Sequence, residues 1–149
     1  MIFHLDDNGA LLQNPGMGWV IHHNAISEQK DPNEPDHYEN LGNVALLSYW
    51  AALEPEEGVF RWERLDASIA AWTARGKKLQ FRISTDPMLY AGQGDGAPAW
   101  LYDRYQVPSQ SVREDGYAAR YPDYRNPVYL EKLRNFLSAL ADRYAGNPD

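Results

Sequence analysis

The 149-residue chain contains no cysteine. Disulfides, thiolate metal sites and a Cys nucleophile are therefore excluded, and the redox compartment stays open. Basic residues are scarce, 14 Lys and Arg against 21 Asp and Glu, and the longest basic run in the middle of the chain is Lys77-Lys78. Phosphate binding needs clustered cations, so no nucleic-acid partner is expected. No apolar run approaches the roughly 18 residues of a membrane span, so no membrane partner is expected either. The segment from Met1 to Leu12 lacks both a charged leader and a long apolar stretch, and is not expected to be a signal peptide.

Apolar residues make up 44 % of the chain, enough to build one core rather than a disordered polymer. Ten Tyr, five Trp and four Phe are a rich supply of aromatics. Two uses compete for them: a well-filled core, or platforms for flat ligands and sugar rings.

Asp7-Asn8-Gly9 carries the Asn-Gly signal of a hairpin turn, so residues 1–13 are read as an N-terminal hairpin or extension. Trp19 to His22 is expected to be a short strand after the Pro15-Gly16-Met17-Gly18 punctuation. The polar segment from Asn24 to Asn40 is read as loop, with a helical turn around Asp36 to Leu41. Val44 to Trp50 is a continuous apolar run, as in a strand buried on both faces. Trp62, Leu65, Ile69 and Trp72 recur at helical spacing, and Gly76 stops that helix. Leu79 to Thr85 reads as a third strand. From Asp86 to Arg125 a loop of about 40 residues is predicted, well beyond ordinary connections and therefore functional, with a short helix near Ala99 to Tyr105. Asn126-Pro127 supplies an N-cap and a first-turn proline for a last helix, whose apolar stripe runs from Tyr129 through Leu133, Phe136 and Leu140 to Tyr144. Strands alternating with helices predict an α/β fold with parallel strands in chain order.

The run Trp50-Ala51-Ala52-Leu53-Glu54-Pro55-Glu56-Glu57-Gly58-Val59-Phe60-Arg61-Trp62 resembles the segment after the second strand of retaining TIM-barrel glycoside hydrolases. Leu65-Asp66 fits the helix that follows. Pro98-Ala99-Trp100-Leu101 is similar to the Pro-x-Trp-Leu of β-galactosidases of glycoside hydrolase family 42, and so is the stretch from Arg120 to Tyr144. The resemblance covers most of residues 14–149. It implies a partial (β/α)8 barrel, about the first three βα units, from the N-terminal portion of a catalytic domain. A complete barrel needs about 250 residues. The resemblance places the acid/base Glu and the nucleophile Glu beyond Asp149, so no catalytic residue is expected within the chain and the chain alone is expected to be inactive. It implies a carbohydrate substrate and no cofactor.

Five residues are candidates for substrate binding. Arg82 alternates with Phe81 and Ile83 in the third strand, and with Asp86 it projects toward a barrel mouth or forms a structural salt bridge. Trp50 and Trp100 stack on a pyranose or fill the core. The resemblance roughly aligns Arg120 with a sugar-contacting Arg. For Glu54 it implies a structural role in the turn. His22, His23, His4 and His37 do not make a metal-ligand spacing, so no metal is expected. Two rivals stand beside the hydrolase: a non-catalytic carbohydrate-binding or scaffolding partial barrel, and a stand-alone α/β enzyme using Glu54 and Asp86 as an acid pair. A three-strand arc cannot close, so self-association through its open edges is expected.

Overall fold

Apolar side chains recurring every second residue in two short segments, and every third or fourth in two long ones, decide the architecture. A computed structural model of the chain describes residues 19–24, 42–87, 94–114 and 116–146. The expected Asp7-Asn8-Gly9 hairpin and the helical turn at Asp36 to Leu41 lie outside them. Three strands, β1 (Val20–Asn24), β2 (Asn43–Tyr49) and β3 (Lys78–Ser84), form one parallel sheet in the order β1-β2-β3. Val44 stands opposite Ile21 on one side and Leu79 on the other. The chain-order parallel pairing predicted from the alternation is thus observed, with strand ends shifted by a residue or two.

Side chains alternate across a strand. On one face Val44 and Leu46 of β2 meet Leu65, Ile69 and Trp72 of helix α2 (Glu63–Thr73) and Phe136 and Leu140 of helix α4 (Pro127–Tyr144). Phe81 reaches Tyr144 of α4 from the same face, ring centroids 5.2 Å apart. Arg82 and Ser84 must therefore point to the opposite face, free of helix among the described residues, together with Leu47 and Tyr49 of β2. Burying each large apolar side chain contributes about 1.5–3 kcal/mol, and Leu47 and Tyr49 are buried on the second face too, so β2 is held by burial on both sides.

The helix ends follow their sequence signals. Asn126 accepts from the Val128 and Tyr129 backbone N–H groups at 2.9 and 3.2 Å, and Pro127 occupies the first turn. Past α2, Gly76 at φ +68° lets its own N–H reach the Thr73 carbonyl while Lys77 N–H reaches that of Trp72, a Schellman closure.

Two expectations need correction. Trp50 does not end the second strand but opens a single helical turn, α1 (Trp50–Leu53), whose last turn is closed by Glu54 N–H on the Trp50 carbonyl. The long segment after β3 is not mainly loop. It holds the helix α3 (Ala99–Asp103), shorter than predicted, and an antiparallel hairpin of β4 (Ser109–Glu114) and β5 (Tyr117–Pro122). Glu114 pairs with Tyr117, and Gly116 sits at φ +84°. A two-residue Asp-Gly loop is a strong hairpin signal, so it was legible in the sequence.

Candidate functional site

The loops after β2 and β3 meet at one end of the sheet, the C-terminal end of its parallel strands. Their meeting is built around Glu54. Its carboxylate is buried, accepting from Trp50 Nε1 at 2.6 Å and from Gly58 N–H at 2.8 Å. Its own carbonyl accepts from Trp100 Nε1 at 3.1 Å. Burial pushes the Glu54 carboxyl above its ordinary value, and the Gly58 and Trp50 hydrogen bonds only partly offset that. With both oxygens committed inside the core, Glu54 cannot serve as one of an acid pair with the exposed Asp86. The structural role implied for it is what the geometry supplies.

Trp50 is wholly buried, edge-on to Trp100 and Tyr129 and tilted against Phe136. Trp100 is nearly so, edge-on to Tyr105 as well. Neither leaves a ring face open in this chain. They fix the α3 segment to the turn after β2, assisted by Ala51 N–H on the Gly96 carbonyl at 3.0 Å. A neighbouring hub does the same from outside. Glu57 accepts from Arg104 Nη1 at 2.6 Å, Tyr105 Oη at 2.8 Å and Lys132 Nζ at 2.8 Å. Lys132 foremost holds the Glu57 carboxyl below its ordinary value.

At the end of β3 the chain turns through Thr85 and Asp86. Gly96 packs so close to this turn that a Cβ would fall on the Asp86 carbonyl. Tyr124 Oη donates to Asp86 Oδ1 in a short hydrogen bond. Burial, then Asp86, drives the Tyr124 hydroxyl far above its ordinary value, so it stays a donor at all physiological pH. Tyr129, raised chiefly by burial, hydrogen-bonds the Thr85 side chain. Tyr124 and Tyr129 meet edge to face at 5.6 Å. Arg82 is exposed on the helix-free face, one strand repeat below Ser84. The structure thus brings Arg82, Ser84 and Asp86 to one end of β3.

Arg120 is engaged elsewhere. Its Nε and Nη2 bind Asp95 Oδ2 at 2.8 and 2.7 Å, its N–H binds Asp95 Oδ1 at 2.5 Å, and its guanidinium lies 4.1 Å over the Tyr102 ring. It ties β5 to α3. Sequence reasoning missed Tyr124 and Asp95. The adjacency of Tyr124 to the Asn126-Pro127 cap marks where it leaves the hairpin, but its partner across the fold carries no local signal. His22 and His23 point to opposite faces of β1, with His23 edge-on to Trp72. Among the described residues no group of three His, Asp or Glu side chains is placed to hold a metal.

The family model of glycoside hydrolase family 42, described as Beta-galactosidase, matches residues 38–149. The chain is similar to β-galactosidase BglY of Alicyclobacillus acidocaldarius, 36 % identical over 73 % of this chain and 15 % of that protein. It is also similar to a β-galactosidase of Thermus thermophilus, 35 % identical over 71 % of this chain and 16 % of that one. Among solved structures it superposes on a β-galactosidase from the psychrophilic Marinomonas ef1 with a TM-score of 0.62 and 21 % identity, covering 89 % of this chain and 20 % of that one. Endo-glycoceramidase II from Rhodococcus sp. gives a TM-score of 0.58 at 20 % identity, covering 86 % of this chain and 37 % of that one. The chain therefore spans a small part of the length of each. At that identity the two structures speak to the fold, a mixed α/β arrangement that fits part of a barrel.

Proposed function

Since the chain belongs to glycoside hydrolase family 42, we propose that residues 14–149 are about the first three βα units of a TIM-barrel β-galactosidase and line one side of its sugar pocket. The observation that carries this reading is the convergence of Arg82, Ser84 and Asp86 at the C-terminal end of a parallel strand, on or just beyond the face the helices leave free. In parallel barrels, sites are built at that end. Arg82 there donates to sugar hydroxyls, and Asp86, oriented by Tyr124, accepts from them. Trp50, Trp100 and Arg120 contribute by holding the α3 segment and hairpin in place rather than by touching the ring.

Retaining glycoside hydrolysis takes two carboxyl groups about 5–5.5 Å apart across the scissile bond. Glu54 is sealed in the core, so the acid and nucleophile come from further βα units and this chain contributes positioning. Positioning lowers a barrier but supplies no nucleophile. The test has two parts. The purified 149-residue chain is incubated with aryl β-galactoside and should release no nitrophenol. Titration with galactose should shift backbone amide resonances at Arg82, Ser84 and Asp86, and Arg82→Ala should abolish those shifts. Turnover that disappears in both Glu54→Gln and Asp86→Asn would replace this reading with the stand-alone enzyme. Sugar binding unaffected by Arg82→Ala would remove the proposed pocket.

A further inference from the structure

β3 closes one side of the sheet: it pairs with β2 and, among the described residues, with no strand beyond. An edge strand presents a row of backbone N–H and C=O groups that another strand can take up. Which groups face outward follows from the pairing. Lys78 N–H reaches toward β2, to the Gly42 carbonyl at 2.8 Å. Backbone groups alternate sides along a strand, so those of Leu79, Phe81 and Ile83 face away from β2. Neither a proline nor a bulge interrupts this edge, since the register with β2 runs unbroken from Lys78 to Ser84.

The strand Lys78-Leu79-Gln80-Phe81-Arg82-Ile83-Ser84 is symmetric in polarity about Phe81. Leu79, Phe81 and Ile83 share the face that packs on the helices, where Phe81 is 38 % exposed beside Tyr144. Lys78, Gln80, Arg82 and Ser84 share the other. A second copy laid antiparallel with Phe81 opposite Phe81 places Leu79 opposite Ile83, Gln80 opposite Arg82 and Lys78 opposite Ser84. Apolar then meets apolar on one face and polar meets polar on the other, and the outward residues exchange their backbone hydrogen bonds. No two charges of one sign stand opposite, and each Lys78 comes to the strand end that Asp86 follows. Neighbouring registers fail. Centring on Gln80 sets Lys78 against Arg82, and centring on Arg82 sets Arg82 against itself. A slip of one residue sets the apolar face against the polar one. The two cations of β3 thus leave a single self-complementary register, as an isologous contact requires.

We propose that β3 is a self-recognition edge. Two copies of the chain pair antiparallel through it, two-fold related at Phe81, and join their three-stranded sheets edge to edge. This holds wherever no further strand lies beside β3, and it does not rest on the glycosidase reading. The competing arrangement, β3 parallel to β1 of another copy, is heterologous and builds rings or open assemblies instead of a closed dimer. It also has only the five residues of β1 to pair with.

The experiment is sedimentation equilibrium of the 149-residue chain and its variants, with non-reducing electrophoresis after air oxidation for those carrying cysteine. The unsubstituted chain should be a concentration-dependent dimer with no larger species. Gln80 is exposed, so substitutions there spare the core. Gln80→Lys sets a cation opposite each Arg82 and should weaken dimerisation about tenfold, whereas Gln80→Glu sets an anion there and should tighten it several-fold. The chain has no cysteine of its own, so a disulfide in a single-cysteine variant joins two copies. Opposed residues of an antiparallel hydrogen-bonded pair lie about 5.5 Å apart between Cα atoms, within disulfide reach. Phe81→Cys should therefore cross-link, and Gln80→Cys, offset from its copy by two strand positions, should not. If Phe81→Cys fails to fold, the opposite responses of the two Gln80 charge variants still decide the matter. A monomer at every concentration, species larger than a dimer, equal effects of Gln80→Lys and Gln80→Glu, or cross-linking through Gln80→Cys would each overturn the proposal.

Discussion

Replacing Glu54 tests whether one buried carboxylate organises the whole strand-end region. In Glu54→Ala the fully buried Trp50 Nε1 loses its acceptor, which costs about 1–3 kcal/mol. Gly58 N–H is near the surface and turns to water, losing about 0.5–1.5 kcal/mol. The expected loss is about 2–4 kcal/mol, a large fraction of the stability of a domain this size. Glu54→Gln keeps a carbonyl oxygen on Trp50 and turns an amide toward Gly58, so its cost is about 1 kcal/mol. Because the folded carboxyl titrates above its ordinary value near 4.5, the folded state binds a proton that the unfolded state has released. Wild-type stability relative to Glu54→Gln therefore rises as pH falls from 7 toward 4.5, is complete below 4.5, and is lost as pH rises through the folded pKa. Urea unfolding followed by tryptophan fluorescence at pH 7 and pH 5 measures both effects. An Ala variant within about 0.5 kcal/mol of wild type, or a Gln variant worse than Ala, would refute the reasoning.

Other perturbations separate the remaining contacts. Lys132→Met should destabilise by about 1 kcal/mol, since Lys132 both pairs with Glu57 and lies 4.6 Å over the Tyr105 ring. Because Glu57 is held below 4.5, that difference should be present above pH 4.5 and shrink as pH falls through the folded Glu57 pKa, seen as converging urea midpoints. Gly96→Ala should push the segment before α3 off the Asp86 turn and cost more than about 2 kcal/mol, with chemical shifts at Thr85 and Asp86 moving first. Gln106→Gly should stabilise by about 0.5–1 kcal/mol in thermal melts, because Gln106 sits at φ +51° after α3. Sedimentation should find the chain self-associating, as β3 is an edge strand of the sheet among the described residues and Phe81, Leu130 and Leu137 are each about two-fifths exposed; a sharp-melting monomer would contradict that.

The elements read most easily were those with dense local signals. Asn126-Pro127 at one end and a stripe from Tyr129 to Tyr144 along one side left α4 little alternative. The run from Val44 reads as β2 because a short continuous apolar run with Val and Tyr suits a strand buried on both faces. Ser109 to Pro122 reads as loop because it is rich in polar and small residues, so its Asp-Gly signal lacks the apolar alternation that would support it, and Arg120 meets Asp95 twenty-five positions away. Trp50 was read as strand because its apolar neighbours continue the run. The turn into α1 is closed four residues on, where Glu54 accepts the Trp50 indole N–H and its own N–H binds the Trp50 carbonyl. Arg82 and Asp86 were identified from strand alternation alone, whereas Tyr124 needed the fold, since nothing in its neighbourhood announces a partner at residue 86.

The two sheets differ in how far the chain must travel to close them. The paired ends of β4 and β5, Glu114 and Tyr117, are three positions apart in sequence, whereas β2 and β3 are separated by α1, the Glu54 turn and all of α2. Hairpins of the first kind assemble in about 1–10 μs, while non-local parallel pairing waits on loop closure and runs far slower. The expected order of assembly is hairpin and α4 before the parallel sheet, with φ-values at β4–β5 exceeding those at β2–β3 as the measurement that checks it. Late-forming contacts are the ones whose loss mainly speeds unfolding. The end of β3, where sugar binding is proposed, is then expected to loosen before the hairpin does.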